Sequence, residues 1–229
     1  MIKEEEISIK STHIYLKSDI VLHKLDDVIN KQYTILEDKI ARDKNFTSYE
    51  APEFDSTHRI LELTTRAGRI AGIGAMSAVA GSISQICLEH LESMGTRYSL
   101  IENGGDIALK VNKKTYISVY AGESPYSDKV AFKVKGYHGG ICTSSGSVGH
   151  SKSFGKTDAT IVFGRQASIC DSLATRIANH GLGEDYDEIV NNSLEEAEGY
   201  RDYYDGVMVI KDDVMGKIGH IPPIVAIRD

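Results

Sequence analysis

The second half of the chain is a succession of short apolar segments separated by turn-forming residues. Strands are predicted at residues 98–101, 107–111, 115–121, 130–134 and 160–163, with closing strands at 207–211 and 224–227. The Asn-Lys-Lys segment at 112–114 predicts a tight connection between two of them. Because antiparallel strands can be joined by short turns and parallel strands cannot, this pattern favours mainly antiparallel sheets.

Helices are interleaved with these strands. Apolar residues recur at helical spacing over 20–41, and a helix rich in small residues is predicted over 75–93, with Gly95 just past its end. A shorter helix is predicted over 168–180, and residues 7–17 alternate in the manner of one half-buried strand. Together these elements predict an α+β fold with packed helices, and not a doubly wound parallel sheet.

Charge and cysteine content narrow the classes of function. The 229 residues carry a formal net charge of −7, which argues against a nucleic-acid partner, because phosphate backbones require a basic face. No apolar stretch approaches the ~20 residues of a membrane span, and the acidic N-terminus does not resemble a signal peptide. The three cysteines are far apart, which disfavours structural zinc and a disulfide framework. A cytoplasmic protein without a membrane partner is expected.

The segment Asn103-Gly104-Gly105-Asp106 has two interpretations. Asn-Gly between two apolar runs is typical of a type I′ hairpin turn. Two residues without side chains also let a ligand lie against the backbone, with Asn103 and Asp106 as polar anchors. Both interpretations can hold for one turn.

Two later segments suggest a phosphate and metal site. Residues 140–146, Gly-Ile-Cys-Thr-Ser-Ser-Gly, predict a loop whose backbone could approach a phosphate closely. Asp171 and Thr175 are four residues apart and therefore share one face of a predicted helix, where they offer hard oxygen ligands to Mg²⁺. The alternative for Asp171 is a capping role together with Ser168, and Thr175 could bond back to a carbonyl one turn earlier.

His150 and Cys142 are the candidate reactive side chains. His150 lies in a serine-rich stretch beside the predicted loop and could act as a base, although a lone loop histidine is more often a surface residue. Cys142 could be a nucleophile, but no neighbour that would lower its pKa is evident. The small residues of 68–81 lack the spacing of a dinucleotide motif, and close helix packing is the better explanation.

Three segments, in order, resemble the ApbE-type flavin transferase superfamily. That superfamily carries an Asn-x-Gly-Gly-Asp-like turn, a Gly-Ile-Ala-Thr-Ser-Gly-like loop and an Ala-Asp-Ala-Leu-Ala-Thr-Ala-like helix start. The corresponding segments here are residues 102–106, 140–146 and 170–175. More closely, segments 74–81, 143–155 and 221–225 resemble the compact UPF0280 branch, and this second resemblance covers most of the chain.

The resemblance implies a fold and a site. The fold would be ApbE-like and T-fold-related, with residues 1–229 forming a single domain of two intertwined lobes and the site between them. Mg²⁺ would be bound by Asp171, Thr175 and the backbone carbonyl of Cys142. The nucleotide or flavin would be bound by two groups of residues: Asn103, Gly104, Gly105 and Asp106, and Thr143, Ser144, Ser145 and Gly146. His150 would be the catalytic base.

The resemblance also implies an activity. The transferases cleave FAD at its pyrophosphate, join the FMN half to a threonine of an acceptor protein and release AMP. Here only His150 and Gly155 remain of the segment that follows the loop in the transferases, and the loop has one extra serine. These departures favour binding of FAD or another nucleotide pyrophosphate over transfer. The alternatives are therefore Mg²⁺-dependent transfer or pyrophosphate cleavage, a non-catalytic binding module, and an unrelated reaction that uses Cys142. An oligomer is compatible with each.

Overall fold

The structure is a computed structural model that describes residues 1–145 and 155–227. The described residues form five α-helices: α1 (Leu25–Arg42), α2 (Arg59–Ala71), α3 (Val79–Ser93), α4 (Ala167–His180) and α5 (Tyr186–Glu198). They also form eleven strands: β1 (Lys3–Ile9), β2 (Thr12–Ser18), β3 (Tyr98–Asn103), β4 (Asp106–Val111), β5 (Thr115–Ser118), β6 (Val130–Val134), β7 (Tyr137–Ser144), β8 (Ala159–Gly164), β9 (Gly206–Lys211), β10 (Val214–Gly219) and β11 (Ile224–Ala226).

The strands form two sheets, and all the pairs between described strands are antiparallel. The large sheet has the order β1-β2-β3-β4-β7-β8-β9-β10, and the small sheet has the order β11-β6-β5. The predicted α+β fold with antiparallel sheets is therefore confirmed. The tight connection at 112–114 is also present, but it passes from the large sheet to the small one and closes no hairpin.

The large sheet has a hydrophobic core on each face. Strand side chains alternate between faces, so Ile101 of β3 packs with the α-helices, whereas Leu100 packs with the small sheet. The same alternation assigns Cys142 to the helical face and Ile141 to the face under the small sheet. The described chain is thus layered as helices, large sheet and small sheet.

The strand predictions need correction at three places in the chain. Residues 7–17 are not one strand, because a turn at Lys10-Ser11 separates β1 from β2, with Lys10 at φ +53°. Strand β10 was not predicted, since Gly216 interrupts its apolar pattern; that glycine lies under Val190 and Leu194 of α5. Strand β7 was not predicted either, and its consequence for the site is described below.

Small residues let α3 and α4 approach each other closely, as the sequence predicts for residues 68–81. A Cβ atom at Gly81 of α3 would lie 2.6 Å from the carbonyl oxygen of Ala167 and 2.7 Å from Cβ of Asp171. A Cβ at Gly74 would lie 2.0 Å from the carbonyl oxygen of Ser48. The absence of side chains at these positions is therefore a packing requirement.

No single helix within the described ranges is long and apolar enough to cross a membrane. Among the described residues, one bent pair, Arg59–Ala71 with Ala75–Ser93, passes that test of length and composition, and its two segments meet at a bend of 111°.

Candidate functional site

The turn between β3 and β4 presents bare backbone at one end of the large sheet. Asn103 pairs with Asp106, so Gly104 and Gly105 form a two-residue hairpin loop with φ of +65° and +98°. Positive φ at both positions is what a type I′ turn requires, and the hairpin interpretation is confirmed. The side-chain amide of Asn103 donates to the carbonyl oxygen of Ala80 at 3.3 Å, which joins the turn to the start of α3.

Residues 140–144 are not a loop, which corrects the prediction for this segment. They belong to β7, where Cys142 lies between Asp106 of β4 and Val162 of β8. A Cβ at Gly140 would lie 2.5 Å from Cα of Ala167, so this glycine admits α4 and is not exposed to a ligand.

The remaining residues of the predicted loop are divided by position. Thr143 and Ser145 line a cavity described below, whereas Ser144 ends β7 opposite Thr160. Gly146 and His150 lie outside the described residues. Their predicted roles in ligand binding and catalysis therefore stay predictions.

Two buried carboxyl groups lie near each other on the helical side of the sheet. Asp106 and Asp171 are each only 8% exposed. Burial raises the pKa of Asp106 well above its ordinary value, and the nearby charge of Asp171 raises it further. Burial also raises the pKa of Asp171 to about 7, while a hydrogen bond from the Gly81 amide opposes that shift. Uncompensated carboxylates in such surroundings are costly unless a cation or a proton is shared between them.

The two carboxyl groups differ in what they contact. Oδ2 of Asp171 accepts a hydrogen bond from the Gly81 backbone N–H at 2.8 Å. Oδ1 of Asp106 is buried and has no hydrogen-bond partner among the described residues. Because Gly81 is the third residue of α3, Asp171 caps α3 and not its own helix, which begins at Ala167. The capping role predicted with Ser168 is therefore wrong.

Thr175 follows Asp171 by one turn of α4 and is partly exposed. Among the described residues its hydroxyl makes no hydrogen bond, so the predicted bond to a preceding carbonyl is not observed. The oxygen atoms available here are carboxylate, hydroxyl and carbonyl, the donors that Mg²⁺ prefers. No group of three or more His, Cys, Asp or Glu residues with metal-binding geometry occurs in the described ranges. A cation at Asp106 and Asp171 would therefore need further ligands, such as water or phosphate.

Cys142 is unsuited to be a nucleophile. Its side chain is fully buried and its thiol donates to the carbonyl oxygen of Ala167 at 3.3 Å. Burial raises the pKa of this thiol well above its usual value, and the neighbouring carboxyl of Asp106 adds to the shift. Since the thiolate is the reactive form, the structure disfavours a reaction that uses Cys142.

A cavity of about 530 Å³ lies between the large sheet and the small sheet, next to the turn. Gly104, Gly105, Thr143 and Ser145 line one side of it. Its other walls come from both sheets and are mainly aromatic or aliphatic: Tyr15, Leu100, Ile107, Tyr116, Ile117, Val119, Tyr120, Phe132, Ile141 and Ile161. A cavity of this size and polarity fits a drug-sized organic ligand.

Glu102 is the charged residue in the wall of this cavity, and the sequence interpretation gave it no role. Burial raises the pKa of its carboxyl, and a hydrogen bond from the Gly105 backbone partly opposes the shift. Its position directly before the Asn-Gly-Gly-Asp turn was the available signal. Tyr116 and Tyr120 carried no such signal, because only the change of sheet after β4 brings them to the site.

Comparison with known proteins identifies the family. A family model described as "AbpE bacteria" matches residues 5–198. A UPF0280 protein of Methanosphaera stadtmanae is 50% identical over 98% of this chain and 93% of its own length. A UPF0280 protein of Methanothermobacter thermautotrophicus is 43% identical over 96% of this chain and 87% of its own length. The chain belongs to the UPF0280 family.

Solved structures show that this UPF0280 chain has an ApbE-like fold. The flavin transferase ApbE from Vibrio cholerae superposes with a TM-score of 0.62 at 13% identity, covering 95% of this chain and 97% of the other. The apo flavinyl transferase ApbE of Pseudomonas stutzeri gives a TM-score of 0.61 at 12% identity, covering 95% and 94%. At such identities the likeness establishes the fold alone.

Proposed function

We propose that the protein binds a flavin nucleotide, FAD in the first instance, together with Mg²⁺. The observation that carries this proposal is the unpartnered, buried Oδ1 of Asp106 opposite Asp171, beside a turn of bare backbone and a ring-sized cavity. A cation there would compensate both carboxylates, and the cation in turn would attract a pyrophosphate. The structural relatives are flavin transferases, which supports the choice of a flavin nucleotide.

The ligand would extend around the end of the large sheet. Its aromatic ring would occupy the cavity, and its phosphates would lie against Gly104, Gly105 and the hydroxyls of Thr143 and Ser145. Mg²⁺ would be held by Asp171 and Asp106, with Thr175 and the Cys142 carbonyl as further donors. The bound ion would supply neutralisation of the pyrophosphate charge. The chain itself would hold Asp171 in place through the amide of Gly81.

Transfer of the FMN half to an acceptor protein is the catalytic form of this proposal. The acceptor hydroxyl would attack the phosphorus of the FMN half, the pyrophosphate bond would break, and AMP would leave. A base would take the hydroxyl proton, the role proposed for His150. The competing candidate is a module that holds FAD without turnover, which the loss of most of the transferase segment around His150 favours.

The proposal is tested by adding FAD, Mg²⁺ and a threonine-containing candidate acceptor and measuring AMP release. Mg²⁺-dependent FAD binding is measured separately by calorimetry. Asp171→Asn keeps an oxygen for the Gly81 amide but loses its charge, so we expect it to fold and to weaken Mg²⁺-dependent binding at least tenfold. Asp38→Asn, on the exposed face of α1, is the matched control.

The outcomes separate the candidates. AMP release that Asp171→Asn abolishes supports the transferase, and tight binding without AMP release supports the module. FAD binding that is unaffected by Mg²⁺ and by Asp171→Asn would retire the cation site. A protein that does not bind FAD at all would contradict the proposal as a whole.

A further inference from the structure

The cavity wall formed by the large sheet contains one row of side chains in register. Tyr15 lies opposite Glu102, Glu102 opposite Ile107, and Ile107 opposite Ile141. All four line the cavity, and Glu102 is the acidic member of its lining. A carboxyl group among apolar side chains requires hydrogen-bond donors, because burial without them is unfavourable.

The protein offers Glu102 little compensation. No cationic side chain forms an ion pair with it among the described residues. The backbone N–H of Gly105 is the favourable contact recorded for its carboxyl group. Within the part of the chain that the structure describes, the carboxyl group therefore keeps acceptor capacity that a molecule in the cavity can use.

The walls indicate the shape of that molecule. Aliphatic side chains from both sheets form much of the lining, and Tyr116 and Tyr120 are each 59% exposed at the outer side. A small cation would leave most of a 530 Å³ cavity unfilled, whereas a planar fused ring would contact both sheets. An N–H group at the edge of such a ring could reach a carboxyl oxygen.

We propose that Glu102 determines ring specificity, accepting a hydrogen bond from the imide N–H of an isoalloxazine-type ring held between the two sheets. This inference rests on the proposed flavin binding and assigns the group that recognises the ring. Glu102 stands where the ApbE-like turn pattern has asparagine, which also presents a side-chain oxygen. A carboxyl group and a carboxamide each provide the acceptor oxygen that the N–H of the ring requires.

The test compares FAD with FAD methylated at the imide nitrogen N3, in the presence of Mg²⁺, by calorimetry. The methyl group removes the donor, so the unsubstituted protein is expected to bind the methylated ligand about tenfold more weakly. Glu102→Leu should weaken FAD binding by a similar factor and should no longer distinguish the two ligands. Glu102→Gln keeps an acceptor oxygen and should keep most of the discrimination. Glu195→Leu, an exposed position on α5, controls for the loss of a carboxylate.

The outcomes distinguish this inference from the proposed function. Equal affinity of the unsubstituted protein for FAD and methylated FAD overturns the role of Glu102. The role is also overturned if Glu102→Leu still distinguishes the two ligands as well as the unsubstituted protein does, or if Glu102→Gln has the same affinities as Glu102→Leu. If FAD binding nevertheless depends on Mg²⁺ and on Asp171 in these cases, the proposed function is still supported. Failure to bind FAD under any of these conditions overturns both.

Discussion

Asp106 shows how a single side chain can be unfavourable for folding and still suit a ligand. Its Oδ1 has no partner within the described ranges, and its carboxyl group lies in the field of Asp171. Two acids so placed cannot both ionise without cost when no cation is present. The unliganded protein therefore carries a local destabilisation that a bound cation would relieve.

The first prediction concerns the stability of the metal-free protein. Asp106→Asn removes the cost of keeping a second buried carboxyl group charged or protonated and provides an amide that can donate to Asp171, so we expect the free energy of unfolding to rise by about 1–3 kcal/mol. Thermal unfolding in the presence of a chelator measures this change. Added Mg²⁺ should raise the Tm of the unsubstituted protein and have little effect on the variant. A lower Tm for the variant with an unchanged response to Mg²⁺ would contradict the carboxyl-pair interpretation.

The second prediction concerns the three cysteines, all of which are buried. Burial raises the pKa of Cys87 to about 12 and raises the pKa values of Cys142 and Cys170 as well. A raised thiol pKa means that almost no thiolate exists at pH 8, so the native protein should react very slowly with a disulfide reagent. After unfolding, all three thiols should react, so three equivalents of the reagent's thiolate should be released per chain. Rapid reaction of one thiol in the native state would revive Cys142 as a candidate nucleophile.

At the scale of elements, the site depends on how closely α3 approaches α4. The amide of Gly81 in α3 holds Asp171 of α4, and Ser84 of α3 donates to the backbone carbonyl of Asp106 at 2.9 Å. Asn103 adds the contact from the turn to Ala80. One end of α3 therefore fixes the turn and α4 relative to each other.

The third prediction follows from that contact. Gly81→Ala would place a methyl group against the Ala167 carbonyl, and the resulting separation of the helices should cost about 3 kcal/mol. Asp171 would move with α4, so the variant should also lose Mg²⁺-dependent FAD binding. Gly199→Ala is the matched control, because its added Cβ meets only the Glu196 carbonyl oxygen at 3.5 Å. Denaturant unfolding of both variants measures the difference, and equal costs would argue against the packing requirement.

Elements whose pattern is local could be predicted from the sequence, and elements that depend on distant partners could not. Helical spacing identified α1 and α3, and the Asn-Gly-Gly-Asp turn was recognised from its glycines. The glycines of β7 predict a loop because glycine usually indicates conformational freedom, whereas Gly140 lacks a side chain so that Ala167 can pack against it. The β1–β2 turn could not be predicted in this way, because it contains no glycine or asparagine and Lys10 adopts the positive φ.

The residues of the candidate site can be divided in the same way, into those with a local sequence signal and those without one. Asp106, Asp171 and the turn were predicted from motifs, and the structure brings them together at one end of the sheet. The aromatic side of the cavity was not predicted, because it depends on which sheet β5 joins after residues 112–114. Nothing in a strand's own sequence specifies that choice of partner.

At the scale of the whole molecule, the large sheet is supported unequally on its two faces. The helical face is covered by α1, α3, α4 and α5, with α2 packed against α3 and α4, whereas the other face is covered by three strands, of which β11 has three residues. Short strands at the edges of a small sheet have few cross-strand partners. The small sheet should therefore open more easily than the large one.

The fourth prediction is a pattern of amide hydrogen exchange. Amides of β5 and β11 should exchange faster than those of β4, β7 and β8, which lie inside the large sheet. A ligand in the cavity contacts both sheets, so FAD should slow exchange in β5 more than in α5, which lies on the opposite face. Mass spectrometry of peptic peptides measures both effects. Uniform exchange across the two sheets, or protection of α5 alone, would place the ligand elsewhere.

The alternation of side chains across β3 and β4 has a consequence for how such a protein could diversify. Glu102 and Asp106 are four residues apart, yet their side chains lie on opposite faces of the large sheet and contact different groups. Substitutions in the cavity would therefore alter which ring the proposed site accepts without altering the carboxyl pair proposed to bind the ion. Conversely, loss of the proposed ion would leave the cavity between the two sheets unchanged, so binding of the ring and binding of the ion would be lost by substitutions on different faces of one sheet.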